Sequence, residues 1–175
     1  MSPFTITLHG PGTWGSGAKD GEGEGEGEGT QRPVPLCVTY LGMATAFAEG
    51  ANSLHRADGI NPLATALLLS QSMENALKAW LTRDGVRPEL YKAKIRHDLE
   101  GLWSLAYAER LPVSGECPTW MRHLAKSHRN PYLNRYSENQ LMVVHPDLGK
   151  HCEGATELIS VVKTALESRT PPDKR

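Results

Sequence analysis

The sequence of 175 residues has no apolar run near the ~20 residues that a membrane-spanning helix requires. Its N-terminus also lacks the basic and then apolar layout of a secretory signal peptide. Only three cysteines are present, Cys37, Cys117 and Cys152, and their odd number and wide spacing match neither a disulfide framework nor a zinc knuckle. These absences predict a soluble protein of the reducing cytoplasm with no membrane contact.

An excess of charge of either sign is also missing. Nineteen basic and 20 acidic residues give a formal net charge of -1, so the chain lacks the basic field of a dedicated nucleic-acid-binding protein. Any nucleic-acid site must therefore be local.

Several catalytic and cofactor motifs are absent. No glycine-rich phosphate loop follows a strand pattern, and no serine or cysteine lies in a nucleophile-elbow setting. The seven histidines show no metal-ligand spacing, since His123 and His128 are five residues apart and no cysteine pair is close. The sequence predicts neither a metal nor a cofactor.

The N-terminal segment has a composition of its own. It contains "GEGEGEGEG" at residues 21–29, whose glycines cost backbone entropy to order and whose like charges repel. We expect residues 1–30 to be a mostly disordered tail or linker, followed by one domain over residues 31–175, of a size typical for a single hydrophobic core.

Helical periodicity begins at Leu36, and Gly50 offers an end to this first helix. The second helix has the clearest start, with Asn61 as N-cap and Pro62 at the first helical position. It is predicted to continue to Gly85 as the central helix of a bundle.

Three shorter helices follow in the same pattern. One begins after His97 or Asp98, one runs from Cys117 to about Lys126, and the last covers about 153–168. About five amphipathic helices with short connections predict an all-α bundle.

Glu74 and Lys78 are one turn apart on the long helix, with the acid first. Glu74 lies at the edge of the apolar stripe, where a carboxylate needs a partner, and Lys78 or His97 could serve. Together with Asp98, which can cap the third helix, these residues are interpreted as a structural polar lock; a surface ion pair and a catalytic carboxylate are the alternatives.

The segment "RHLAKSHRNPYLNRY" mixes cations with aromatic residues, a combination that can hold phosphates and stack bases. The candidate RNA-binding residues are Arg122, Lys126, Arg129, Arg135 and Tyr132. The alternative is a solvated surface in which Asn130 and Pro131 only start a short helix.

"LLLSQSMENALKAWLTRDGV" followed by "IRHDLEGLWSLAYAE" resembles the central part of HEPN-superfamily proteins, small helical bundles of prokaryotic defence and toxin-antitoxin systems. The similarity covers roughly residues 36–168. The similarity rests on two motifs: an ExxxK pair, here Glu74 and Lys78, and the helix start His97-Asp98-Leu99. At the position before this start, Arg96 is present where glycine is commoner. The resemblance implies a HEPN-like bundle, a homodimer and an association with RNA.

HEPN ribonucleases carry an arginine, four to six residues, and a histidine, often followed by a tyrosine. Arg129 and Tyr136 match this pattern, but Asn134 occupies the histidine position, and an amide cannot accept a proton near pH 7. We therefore expect a degenerate site that binds RNA more readily than it cleaves it. The alternative pair, Arg122 and His128, also fits the spacing and would make the protein a metal-independent endoribonuclease.

A third hypothesis is a non-enzymatic interaction module that pairs with a nucleotidyltransferase or an antitoxin. The fourth is a helical scaffold without a binding role.

Overall fold

The structure, a computed structural model, describes residues 34–57, 61–92, 95–129 and 147–168, all within the unit Pro33–Arg175. These residues form five α-helices and one short 3-10 helix, without any strand among them. The all-α prediction is confirmed. Across the same ranges, no helix combines the length and apolar character needed to cross a membrane. The predicted tail at residues 1–30 lies outside the described residues.

The first helix, α1, covers Leu36–Arg56, so the predicted end at Gly50 is wrong. Gly50 lies inside the helix, and a methyl group placed on it would lie 3.4 Å from Leu68 Cδ1 of the next helix. Ala44, Ala48 and Ala51 of α1 are also buried, and the Ala44 carbonyl accepts a hydrogen bond from Ser72 of α2. This small-residue surface lets α1 approach its neighbour closely, which explains why the glycine is tolerated without ending the helix.

The second helix, α2, covers Pro62–Leu81 and begins as predicted, because Asn61 Oδ1 accepts a hydrogen bond from the Ala64 amide at 3.0 Å. It ends four residues before the predicted end. Thr82 caps the helix, and the chain then turns to Gly85, whose φ of 127° suits a residue without a Cβ.

Helix α2 is the centre of the bundle, since it contacts all four other α-helices. Its second half is buried on every side, polar residues included. One of these, Ser72, donates its hydroxyl to the Ala44 carbonyl of α1 at 2.8 Å. Burial on all sides means that the polar residues of α2 must find partners within the protein.

After the 3-10 helix Pro88–Tyr91, helix α3 covers Leu99–Ala108 with Asp98 at its N-cap position. Helix α4 covers Thr119–Arg129, a later start and a later end than predicted.

The last helix, α5, covers Leu148–Glu167 and starts five residues before the predicted Glu153. Its N-cap is Asp147, whose carboxylate accepts a hydrogen bond from the Lys150 amide at 3.1 Å. Gly154 of α5 lies directly against the indole of Trp120 in α4, so the two helices meet where one of them has no side chain.

Candidate functional site

Glu74, on the central helix, is the hub of a buried polar group that we call the Glu74 cluster: Glu74, Lys78, His97 and His128. The side chain of Glu74 is only 6 % exposed. Its Oε1 accepts a hydrogen bond from Lys78 Nζ at 2.5 Å. Its Oε2 lies 2.9 Å from His97 Nδ1 and 2.6 Å from His128 Nε2.

The hydrogen-bond pattern fixes which ring nitrogens carry protons, because an ionised carboxylate only accepts. Burial opposes ionisation of Glu74, but hydrogen bonds from His128, Lys78 and His97 outweigh it and lower its pKa to about 2. The carboxylate is therefore charged at neutral pH, so His97 Nδ1 and His128 Nε2 act as the donors.

Three parts of the fold converge on this carboxylate. Glu74 and Lys78 come from one face of α2, His97 from the turn before α3, and His128 from the last turn of α4. The two imidazole rings meet edge to face, with centroids 5.6 Å apart. The cluster therefore links α4 and the turn before α3 to the central helix through hydrogen bonds.

Burial differs between the two histidines. The side chain of His128 is 4 % exposed, whereas that of His97 is 29 % exposed. Solvent therefore reaches the cluster on the His97 side.

Two tyrosines lie near the cluster. The pKa of Tyr40 on α1 is raised to about 12 by burial, by its hydrogen-bonded neighbour Tyr91 and by the negative charge of Glu74. The two hydroxyl oxygens are 3.5 Å apart. The Tyr40 phenol therefore lies within electrostatic range of the Glu74 carboxylate and beside the phenol of Tyr91.

Helix α4 separates its two sides sharply. Its buried side carries Met121, Leu124, Ala125 and His128, at intervals of three and four residues. Arg122, His123 and Lys126 are exposed on the other side. The helix contains no acidic residue, so no negatively charged side chain lies beside Arg122 and Lys126 on its solvent side.

The predicted site residues thus fall into three groups. The structure brings Glu74, Lys78 and His97 together, and places Asp98 beside the first turn of α3, where a methyl group on Gly101 would meet its carboxylate. Arg122 and Lys126 share the exposed side of α4, four residues apart. Arg129 ends that helix, and Tyr132, Asn134, Arg135 and Tyr136 lie outside the described residues.

The alternative catalytic pair does not converge in this structure. Arg122 is exposed and donates to Thr119 Oγ1 at 3.3 Å, whereas His128 is buried against Glu74. The two side chains leave α4 on different sides, so within one chain they do not face a common phosphate.

The contact between His128 and Glu74 was not predicted from the sequence. His128 was considered there only as a possible catalytic base. A usable pattern was present, because His128 continues the buried spacing of Met121, Leu124 and Ala125. A histidine on the apolar side of a helix needs a buried partner.

The described residues therefore define an all-α bundle whose central helix holds a buried, ionised carboxylate between a lysine and two histidines. Comparison with family models, with curated proteins and with solved structures finds no match for this chain.

Proposed function

We propose that this chain is a HEPN-like helical protein of a prokaryotic defence or toxin-antitoxin system, and that it binds RNA through the exposed side of α4. The observation that carries the proposal is the pairing of Arg122 and Lys126 on one solvent-exposed helical side without any acidic residue in the helix. Cations four residues apart in a helix lie on the same side, where they can contact neighbouring phosphates.

The Glu74 cluster supports this role indirectly. Because His128 is bound to Glu74 at 2.6 Å, the orientation of α4 about its own axis is fixed, and its basic side faces solvent. A rigid helix loses little conformational entropy when its side chains bind a ligand. Arg129, Tyr132 and Arg135 follow this pair in the sequence and belong to the proposal on the basis of the sequence alone.

We further propose that RNA is bound with little or no cleavage. Two features support this part: Asn134 replaces the histidine of the HEPN motif, and His128 is already engaged by a buried carboxylate. Homodimerisation, which the resemblance implies, is part of this proposal, whereas a non-enzymatic module that pairs with a nucleotidyltransferase or an antitoxin is the competing hypothesis.

Fluorescence anisotropy with a labelled single-stranded RNA tests the binding surface. The double variant Arg122→Gln/Lys126→Gln should weaken binding and reduce the slope of log K against log salt by about 1.4, because each of the two phosphate contacts to a single strand contributes about 0.7. Lys163→Gln, at an exposed lysine of α5, is the matched control and should bind as the wild type does. Equal binding by the double variant and the control would refute the proposed surface.

Ribonuclease activity is tested separately in the presence of EDTA. The proposal predicts intact RNA after incubation with the wild type. Cleavage that disappears in His128→Ala, in a variant that retains its helical circular dichroism, would favour the metal-independent endoribonuclease instead.

A further inference from the structure

Three atoms of the Glu74 cluster have the arrangement of metal ligands. Glu74 Oε2, His97 Nδ1 and His128 Nε2 all lie within 4.8 Å of one another. The carboxylate oxygen is 2.9 Å from one nitrogen and 2.6 Å from the other. Ligand atoms around tetrahedral zinc, at ~2.0–2.1 Å from the ion, are about 3.3 Å apart. The two separations between the carboxylate oxygen and the ring nitrogens would lengthen by about 0.4 and 0.7 Å to reach this ligand spacing.

The donor set also restricts the kind of ion. Two imidazole nitrogens and one carboxylate oxygen suit zinc and the neighbouring first-row divalent ions, whereas calcium and magnesium prefer oxygen ligands alone. We propose that Glu74, His97 and His128 form a binding site for one zinc-type divalent cation.

Metal binding exchanges hydrogen bonds for coordinate bonds. The protons on His97 Nδ1 and His128 Nε2 must leave these atoms, either to the other nitrogen of each ring or to solvent. Glu74 gives no proton, because it is already ionised. Each lone pair that is freed, together with one from Oε2, then binds the ion, and no oxidant or reductant is involved.

Lys78 leaves the required oxygen available. Its ammonium group binds Oε1, so Oε2 can act as a monodentate ligand whose orientation is held by the second oxygen. The lysine charge also repels an incoming cation, which favours a site of moderate affinity. The partial exposure of His97 gives solvent access, so water or hydroxide can occupy a fourth position.

A bound ion would join the same three parts of the fold as the hydrogen bonds do: α2, the turn before α3, and α4. A ligand that binds only the folded state stabilises it by mass action. The proposed metal site is separate from the exposed side of α4. Metal binding can therefore be tested independently of RNA binding.

The test uses the full chain, stripped of metal with EDTA and freed of the chelator. Zinc is titrated by calorimetry, and cobalt is added in parallel because its visible absorption reports the coordination of the ion. We expect one equivalent of zinc to bind, a rise in melting temperature, and cobalt bands of a four-coordinate site with nitrogen and oxygen ligands. His97→Ala should weaken binding about tenfold or more, since even outer-shell changes cost about 10- to 100-fold.

The partly exposed His97 is the primary variant, because loss of the buried His128 could unfold α4. His123→Ala is the matched control: His123 is an exposed histidine of α4, and its ring lies 6.4 Å from that of His151, an alternative place for adventitious metal. This control should bind zinc as the wild type does. Absence of saturable binding, or zinc binding that is unchanged in His97→Ala, would overturn the proposed site.

Discussion

Glu74 Oε2 accepts a hydrogen bond from His128 Nε2 at 2.6 Å, and this contact joins the central helix to α4 across 54 residues of sequence. Both side chains are almost fully buried. A charged carboxylate in this position is maintained by its donors, since burial alone would keep it neutral. The contact therefore links the stability of the bundle to the orientation of the helix proposed to bind RNA.

Glu74→Ala is expected to lower the free energy of unfolding by about 3–5 kcal/mol, because it leaves the Lys78 ammonium group buried without its partner. Urea denaturation measures the change. Glu157→Ala, at an exposed glutamate of α5, is the control and should change stability by no more than about 0.5 kcal/mol. Glu74→Ala/Lys78→Met should recover part of the loss. A loss for Glu74→Ala as small as that of the control would show that the cluster does not stabilise the fold.

The pH dependence follows from the same carboxylate. Its pKa is lowered from 4.5 to about 2 on folding, so the stabilisation is complete above about pH 4.5 and is lost as the pH falls towards 2. Lys78, His97, His128 and the nearby Tyr40 are the groups that face it. The loss in the free energy of unfolding should be on the order of 3 kcal/mol, because each pKa unit corresponds to about 1.4 kcal/mol.

Unfolding by urea at several pH values between 6 and about 2 measures this dependence. The Glu74→Gln variant cannot ionise at this position. Its free energy of unfolding should therefore fall less steeply than that of the wild type between pH 4.5 and about pH 2. The same steepness in Glu74→Gln and in the wild type would assign the acid sensitivity to other carboxylates.

Gly154 is where α5 meets α4, and a methyl group there would lie 2.5 Å from Trp120 Cε2 and Cζ2. Gly154→Ala should therefore destabilise the protein by roughly 1–3 kcal/mol through overpacking. Gly42→Ala is the matched control, because nothing lies within 4 Å of a methyl group at that position of α1. It should stabilise the protein by about 0.5–1 kcal/mol, since alanine is the better helix former. Thermal denaturation compares them, and stabilisation by both substitutions would contradict the described contact between α4 and α5.

Asn61 is predicted to contribute about 0.5–2 kcal/mol as the N-cap of α2. Asn61→Ala should lose this amount in urea denaturation, and Asn61→Asp should retain it, because aspartate caps as well. An equal loss in both variants would show that the amide of Asn61 has another role.

Local features of the fold could be predicted from the sequence. The start of α2 follows from Asn61 and Pro62, whose capping chemistry depends only on neighbouring residues. The end of α1 could not be predicted at Gly50, because its place inside the helix depends on how closely Leu68 of the facing helix approaches. The start of α5 was predicted too late, since Asp147 caps from a backbone conformation with φ of 51° that no periodicity reveals.

The candidate site likewise has one part that the sequence predicts and another part that it does not. The pair Glu74 and Lys78 could be predicted, because four residues along a helix bring side chains together. The two histidines on Oε2 come from 23 and 54 residues away, and their positions depend on how α3 and α4 pack onto α2. Spacing rules for metal ligands consider residues close in sequence, so they could not find this arrangement.

Lysine reactivity measured with and without RNA tests the proposed function most directly. The full chain is acetylated in the presence and absence of saturating single-stranded RNA, and modification at each lysine is measured by mass spectrometry. Lys126 and Lys163 are both exposed, on α4 and α5 respectively. We expect RNA to protect Lys126 and to leave Lys163 unchanged; equal modification of Lys126 with and without RNA would contradict binding through α4.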